Sequence, residues 1–290
     1  LKGIAHRQGF GDVLAHGTSR AAAIIGGKAP ALITDYMFSR SDQFTAYGPR
    51  MFITTGIFLA MEPRHPIQQL HEVSMPLLKW LDWQKGKPHA FVSSEVLRGI
   101  ARRFWGSEIA ADYSTYEGKA LAAKLIQDRQ YIKECLILCD FTWPILYVAN
   151  SEDHVGDPSI ESKIFSAITG VEVDEQELYR YGERVVNLQR AILAREGHRG
   201  RESDKLREVF FTTPMKTEFH NPECLAPGKD GEAINKRGWM VDRQKFEELK
   251  TDYYGYRGWD PATGLQTKAK LDELGMGDIA EGLDKYKAVV

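Results

Sequence analysis

Cys135 and Cys139 are the residues of this chain whose type and spacing come closest to redox or metal chemistry. They stand one helical turn apart, and a thiolate at either position is a ligand for iron or zinc. A cysteine in an apolar stretch is equally a small buried hydrophobe, and Cys-x3-Cys by itself leaves both readings open. The third cysteine, Cys224, is far off in sequence. Three cysteines cannot complete a four-thiolate site, so any cluster must draw on another segment or another chain. So odd and sparse a set points to a reducing compartment rather than a disulfide framework.

The histidines form no His-x3-His or His-Glu-x2-His pattern, which leaves a zinc hydrolase unsupported. His65 and His71 bracket Glu62-Pro63-Arg64-His65-Pro66-Ile67-Gln68-Gln69-Leu70-His71-Glu72. Two prolines and many polar side chains in a hydrophobic neighbourhood read as a shaped loop near a cleft, or as a surface connection with hydrogen-bonded histidines. Gly9-Phe10-Gly11 follows no strand and precedes no Lys-Ser/Thr, so it is no phosphate loop. There is no Gly-x-Ser-x-Gly elbow. Glu183-Arg184 and Arg195-Glu196 read as solvated or capping charges.

Helices must position these residues. Ser114-Thr115-Tyr116-Glu117 has capping-box spacing. Leu121, Leu125, Ile132, Cys135 and Cys139 then share one helical face. The apolar tail from Cys135 to Phe141 predicts that this helix runs to Trp143-Pro144, where the proline stops it. A second helix is expected from Asp157-Pro158, with Ile160, Ile164 and Ile168 on one face and Gly170 at its end. A third starts at Asp174, carries Leu178, Tyr181, Val185, Leu188 and Ile192, and stops near Gly197. A fourth begins near Asp242, carries Phe246, Leu249 and Tyr253, and ends at Arg257-Gly258-Trp259. A fifth spans Thr267 to Gly275, with Leu271 and Leu274 inside. The first forty residues read as helical, interrupted by Gly9, Gly11 and Gly17. Residues 51–61 are a buried helix or a strand, which period alone cannot decide. Residues 198–240, rich in Gly, Pro and charge, read as a long irregular excursion. A soft boundary falls at 150–158.

The 290 residues suffice for one large core or two smaller ones. With 38 basic and 40 acidic side chains and net charge −2, nothing in the charge calls for nucleic acid or a membrane surface. No apolar run reaches the roughly 18–20 residues of a membrane span, and Leu1-Lys2-Gly3-Ile4 opens no signal peptide. Without an initiator Met, the start reads like the middle of a helix, and the polypeptide is expected to begin upstream.

Several segments together are more specific. Tyr181-Gly182-Glu183-Arg184-Val185-Val186-Asn187-Leu188-Gln189-Arg190-Ala191 is followed by Ala194-Arg195-Glu196-Gly197. Then come Tyr253-Tyr254-Gly255-Tyr256-Arg257-Gly258-Trp259-Asp260, Gly264-Leu265-Gln266-Thr267 and Leu271-Asp272-Glu273-Leu274-Gly275. In order and spacing these resemble the C-terminal region of the aldehyde:ferredoxin oxidoreductase family, over nearly the whole chain. Gly48-Pro49-Arg50 and the apolar run after it resemble part of the family's middle domain. The resemblance implies a mainly α fold: a partial helical middle domain over 1–152, running into the cluster- and pterin-binding helix, and a C-terminal helical domain over 153–290. It implies a tungsten (or molybdenum) bis-pterin beside a 4Fe-4S cluster.

The family motif Asp-x-x-Gly-Leu-Cys, a pterin contact and the fourth cluster thiolate, matches Glu134-Cys135-Leu136-Ile137-Leu138-Cys139. Cys139 falls on the cluster ligand, where burial at a helix end would limit solvent access, and Leu138 matches. Glu134 stands where Asp is usual and Ile137 where Gly is usual. The family's Cys-x2-Cys-x3-Cys triplet, its first pterin motif and its N-terminal β-domain are expected upstream of Leu1. The implied reaction oxidises aldehydes to carboxylic acids, with ferredoxin or another electron-transfer subunit as acceptor, in an anaerobic, cytoplasmic setting. A homo-oligomer is compatible with it; nucleic acid and a membrane span are not expected. Two alternatives stand beside it: the catalytic subunit of an aromatic acyl-CoA reductase of the same family, and a cofactor-free helical binding or scaffold module, which the departures at Glu134 and Ile137 favour. A His or Glu would move the proton; His65, His71 and Glu72 qualify by segment character alone.

Overall fold

The computed structural model describes residues 1–34, 46–141, 143 and 145–290, with the side chain of Thr34 left aside. The expected helix over 35–40 and the stop at Pro144 lie outside the described residues.

The chain is mainly helical. Its first stretch holds four short helices, α1 (Lys2–Ala5), α2 (Phe10–Leu14), α3 (Thr18–Ile25) and α4 (Ala29–Thr34). Gly9 and Gly17 cap α2 and α3 at their starts with φ of 57° and 85°. Gly11 interrupts nothing. It lies inside α2, where an added Cβ would meet the Gly3 carbonyl of α1 at 2.3 Å. Residues 51–61 resolve as a helix, α5 (Ile53–Met61), buried at every position. A helix buried all round carries no apolar stripe, so its period could not announce it.

The segment 62–72 divides. Residues 62–66 are a connection, and from Ile67 the chain enters α6 (Ile67–Gln84), which carries His71 and Glu72. Then follow α7 (Ser94–Phe104), capped by the Ser93 side chain, and α8 (Lys119–Cys135). The capping box at 114–117 does not start α8. Its N-cap is Gly118 in the left-handed conformation, and Thr115 accepts instead from the Glu117 N–H.

Beyond the expected boundary lie α9 (Ile160–Thr169), α10 (Glu175–Arg195), α11 (Val209–Thr212), α12 (Arg243–Arg257), α13 (Lys268–Glu273) and α14 (Gly277–Asp284). Asp174, Asp242 and Thr267 cap α10, α12 and α13 as their spacing predicts, each accepting from the backbone N–H three residues on. Gly170 and Gly258 end α9 and α12 in the left-handed conformation. The Ile face of α9 points outward, with Ile168 79% exposed. The excursion 198–240 is partly ordered: β1 (Leu225–Pro227) pairs antiparallel with β2 (Ala233–Asn235), Ala226 opposite Ile234. Phe210, Met215, Cys224 and Ala226 carry it into the main core.

α8 is the hub, packed against α5, α6, α7, α10 and α12. It buries polar residues as well as apolar ones, among them Gln127, Asp128, Arg129 and Lys133. Arg129 pairs with Glu72 of α6 at 2.6 Å and Glu161 of α9 at 3.3 Å; Arg257 of α12 pairs with Asp128 at 2.5 Å. A buried ion is tolerated only when paired in this way. On α10 the buried stripe is Leu178, Gly182, Glu183, Val186, Asn187, Arg190, Ala191 and Ala194; of the predicted Leu178, Tyr181, Val185, Leu188 and Ile192, Leu178 is on it, while Leu188 and Ile192 are 43% and 39% exposed. Polar partners account for the rotation. Arg190 clasps Asp204 with two bonds of 2.8 and 2.6 Å, and Asn187 accepts from Trp259 Nε1 and Gln266 Nε2. The larger buried cluster draws on both sides of 150–158; a smaller one lies where α10 meets α13 and α14.

Candidate functional site

The three residues singled out as cofactor contacts lie together where α8 runs out. α8 ends at Cys135 rather than continuing past Phe141. Its last carbonyls are closed by the Ile137 N–H on Glu134 O (3.1 Å) and the Leu138 N–H on Lys133 O (2.8 Å). This hydrogen-bonded turn needs a left-handed residue, and Ile137 supplies it with φ of 58°. Hence the glycine usual at this point of the motif answers a backbone requirement, and Ile137 meets it at a steric cost.

The early stop changes the expected burial. Cys135 and Cys139 are both exposed, Leu138 is half-buried, and Ile137 and Phe141 stand 91% and 66% exposed. Cys139 is therefore carried on an exposed loop beyond the helix. Burial and the Glu134 carboxylate push the Cys135 thiol up, against a thiolate there at neutral pH. Among the described residues no three His, Cys, Asp or Glu side chains are grouped to hold a metal ion.

Glu134 pairs with Arg64, whose guanidinium also sits 5.6 Å over the Tyr131 ring. Burial pushes the Glu134 carboxyl up, Arg64 pulls it down, and the balance lies above the usual carboxylate range. Its other oxygen, Oε1, is buried without a hydrogen-bond partner. Asp140, one residue past Cys139, pairs with His71 Nδ1. The His71 ring is held edge-on by Tyr47 at 5.6 Å and lies 4.8 Å from Phe141. Tyr47 stacks on His220 at 5.2 Å, and its N–H donates to Glu218.

The sequence marked 62–72 and 134–139 separately; the fold brings them together. Arg64 and Asp140, to which the sequence reading gave no role of their own, make the joins, and no signal along the chain couples positions some seventy residues apart. Buried polar atoms without partners concentrate on and beside these stretches: His65 Nε2, Gln68 Oε1, both amide atoms of Gln69, Glu72 Oε1 and Glu134 Oε1, with Gln130 Oε1 one turn earlier on α8. Native interiors leave few such atoms. Burial, with His71 and Arg64 nearby, lowers His65 below the usual histidine range, so at neutral pH it offers a lone pair as well as an N–H. A polar group rich in N–H and oxygen atoms would satisfy these atoms, and Cys139, five residues past Glu134 and exposed, is of the type that ligates iron. The donor set fits a pterin and a cluster ligand.

Residues 1–276 match the family described as Aldehyde ferredoxin oxidoreductase, domains 2 & 3. Among solved structures, the chain is similar in fold to one titled Active site complex BamBC of Benzoyl Coenzyme A reductase in complex with 1,5 Dienoyl-CoA. The two are 18% identical, with a TM-score of 0.56. That likeness covers 99% of this chain and 39% of the other, so the chain spans about two-fifths of its length. Among the described residues no helix is long and apolar enough to cross a membrane.

Proposed function

Since the chain belongs to the aldehyde ferredoxin oxidoreductase family, matching its domains 2 and 3, we propose that it is the C-terminal part of a tungsten- or molybdenum-pterin oxidoreductase with a 4Fe-4S cluster. Its reaction takes an aldehyde and water to the carboxylic acid, two protons and two electrons, the electrons leaving singly to ferredoxin. The observation that carries this reading is the buried, partnerless Oε1 of Glu134 five residues before the exposed Cys139.

When bound, the metal-pterin would accept the electron pair and the cluster would pass the electrons on. This chain's own part is binding and orientation. Cys139 would give the cluster a thiolate. Glu134 Oε1 would accept from pterin N–H groups, while Arg64 holds the other oxygen and offsets the longer reach of Glu over Asp. The half-buried Leu138 and the exposed Phe141 would shield the approach from water. Domain limits of 1–152 and 153–290 belong to the same proposal.

Acyl-CoA reduction is the second reading, favoured by the fold shared with the structure titled as a benzoyl-CoA reductase complex. The test is metal and iron content of the anaerobically purified full-length protein, wild type beside Cys139→Ser. Tungsten or molybdenum with about four irons per chain, and iron lost from the variant, is the expected result. Absence of both metals from wild type would sink the reading in favour of a cofactor-free module. Reduction of ferredoxin by aldehydes, against oxidation of reduced ferredoxin by aromatic acyl-CoA, separates the two enzyme readings.

A further inference from the structure

Glu134 and Asp140 stand at the two ends of the turn that carries Cys139, and both are held from the same neighbouring segment. Arg64, in the connection before α6, takes Glu134; His71, one turn inside α6, takes Asp140. The backbone between them is closed at its start by the Leu136 N–H on Ile132, the Ile137 N–H on Glu134 and the Leu138 N–H on Lys133, and beyond Cys139 the Trp143 N–H donates to the Cys139 carbonyl. It also contains a residue in a conformation that costs a branched side chain energy, Ile137. A strained, largely exposed turn samples other conformations unless its surroundings fix it.

His71 is suited to fix this one. It stands on an 18-residue helix whose inner face, Leu70, Val73, Leu77 and Trp80, is wholly or nearly buried. Its ring is wedged between Tyr47 and Phe141, and Tyr47 is itself stacked on His220. Held by these two rings, the imidazole presents Nδ1 to Asp140.

We propose that His71, acting through Asp140, is a positioning residue that sets the place of the Cys139 thiolate relative to α6. The inference rests on Cys139 being a cluster ligand, as proposed above, and adds which residues hold it. A ligand held by a fixed outer partner binds with defined geometry, and the outer partner tunes the metal through it.

The experiment has two arms on the full-length protein. In the cofactor-free protein, amide hydrogen exchange is followed at Leu138 and Trp143, the bonded amides that flank the Cys139 turn, in wild type, Asp140→Ala, His71→Ala and His71→Asn. Exchange there is expected to quicken about tenfold in both alanine variants while α8 is unchanged. His71→Asn, which keeps an amide donor near the position of Nδ1, is expected to stay near wild type. In the anaerobically loaded protein, the midpoint potential and paramagnetic signature of the reduced cluster are expected to shift in Asp140→Ala and His71→Ala and to return in His71→Asn, a readout that a general loss of stability would not reproduce. Asp140→Ala truncates a loop side chain, so it decides the matter should His71→Ala fail to fold. Exchange in Asp140→Ala within about twofold of wild type, or an unaltered cluster signature, overturns the proposal. Iron missing from wild type overturns the cluster reading instead, and the exchange arm still decides whether His71 anchors the turn.

Discussion

At the scale of single residues, Ile137 pays for its place. Its side chain is 91% exposed and its φ is 58°, so it gains little from burial and carries the left-handed penalty. Ile137→Gly should raise stability by about 0.5–1 kcal/mol, read from the urea midpoint, whereas Ile137→Ala should not, because alanine pays the same penalty. An equal gain from both would show that the backbone conformation is not the cause. Asp204 behaves in the opposite sense. It is fully buried, and against the upward push of burial the Arg190 guanidinium, helped by His198 and Tyr254, holds its carboxyl well below the usual range. A folded pKa below the unfolded value of about 3.9 means stability is present above that pH and is lost progressively as pH falls from there through the lower folded value. Asp204→Asn should cost about 3–5 kcal/mol at pH 7 and show a shallower loss of stability on acidification below about pH 4. Parallel acid curves for variant and wild type would argue against this role.

At the scale of elements, the closest joint is α8 against α10. A Cβ on Gly182 would stand 2.0 Å from the Asp128 carbonyl oxygen, backbone against backbone. Alanine is the better helix former by about 1 kcal/mol, yet Gly182→Ala should destabilise by about 2 kcal/mol or more, because nothing there can swing aside. A thermal midpoint at or above wild type would show that the helices can part. The hairpin of β1 and β2 is tied by Lys236, which donates to the carbonyls of Met51 at 3.0 Å and Tyr113 at 2.8 Å. Burial, with Lys119 nearby, pushes Lys236 down to about 7. The unfolded chain, with lysine near 10.4, binds more protons between those values, so this residue makes stability rise with pH from about 7 to 10. Removing the amine as Lys236→Met should flatten that rise by up to about 1.4 kcal/mol per pH unit, measured by urea unfolding at pH 7, 8.5 and 10; an unchanged slope would mean that the lysine is charged in the fold.

At the scale of the molecule, α8 joins what the chain order separates. Ala123 and Ile126 share one buried cluster with Val186, Tyr253 and Trp259 from beyond residue 153. Residues 153–290 made alone would leave α10 and α12 without α8, so that piece should lack a cooperative thermal transition and regain it on mixing with 1–152. A sharp transition in the isolated piece would mean that its own smaller cluster suffices. The candidate site was legible in part on this scale. Glu134, Leu138 and Cys139 are neighbours along the chain, but their exposure and the pairing of this stretch with Arg64 and His71 were not visible there.

The sequence by itself determined what depends on neighbours within a few residues: the helix starts at Asp174, Asp242 and Thr267, and the glycine-ended turns at Gly170 and Gly258. A cap is a bond to an N–H three residues on, so its partners are adjacent in the chain. Tertiary structure alone decided which face of α10 is buried, because Arg190 and Asn187 find their partners at Asp204, Trp259 and Gln266. It also decided that α8 stops at Cys135, despite an apolar tail that the helical period would extend. There the Cys139 turn is held by side chains some seventy residues away, and a bond across the fold leaves no period in the sequence between its ends.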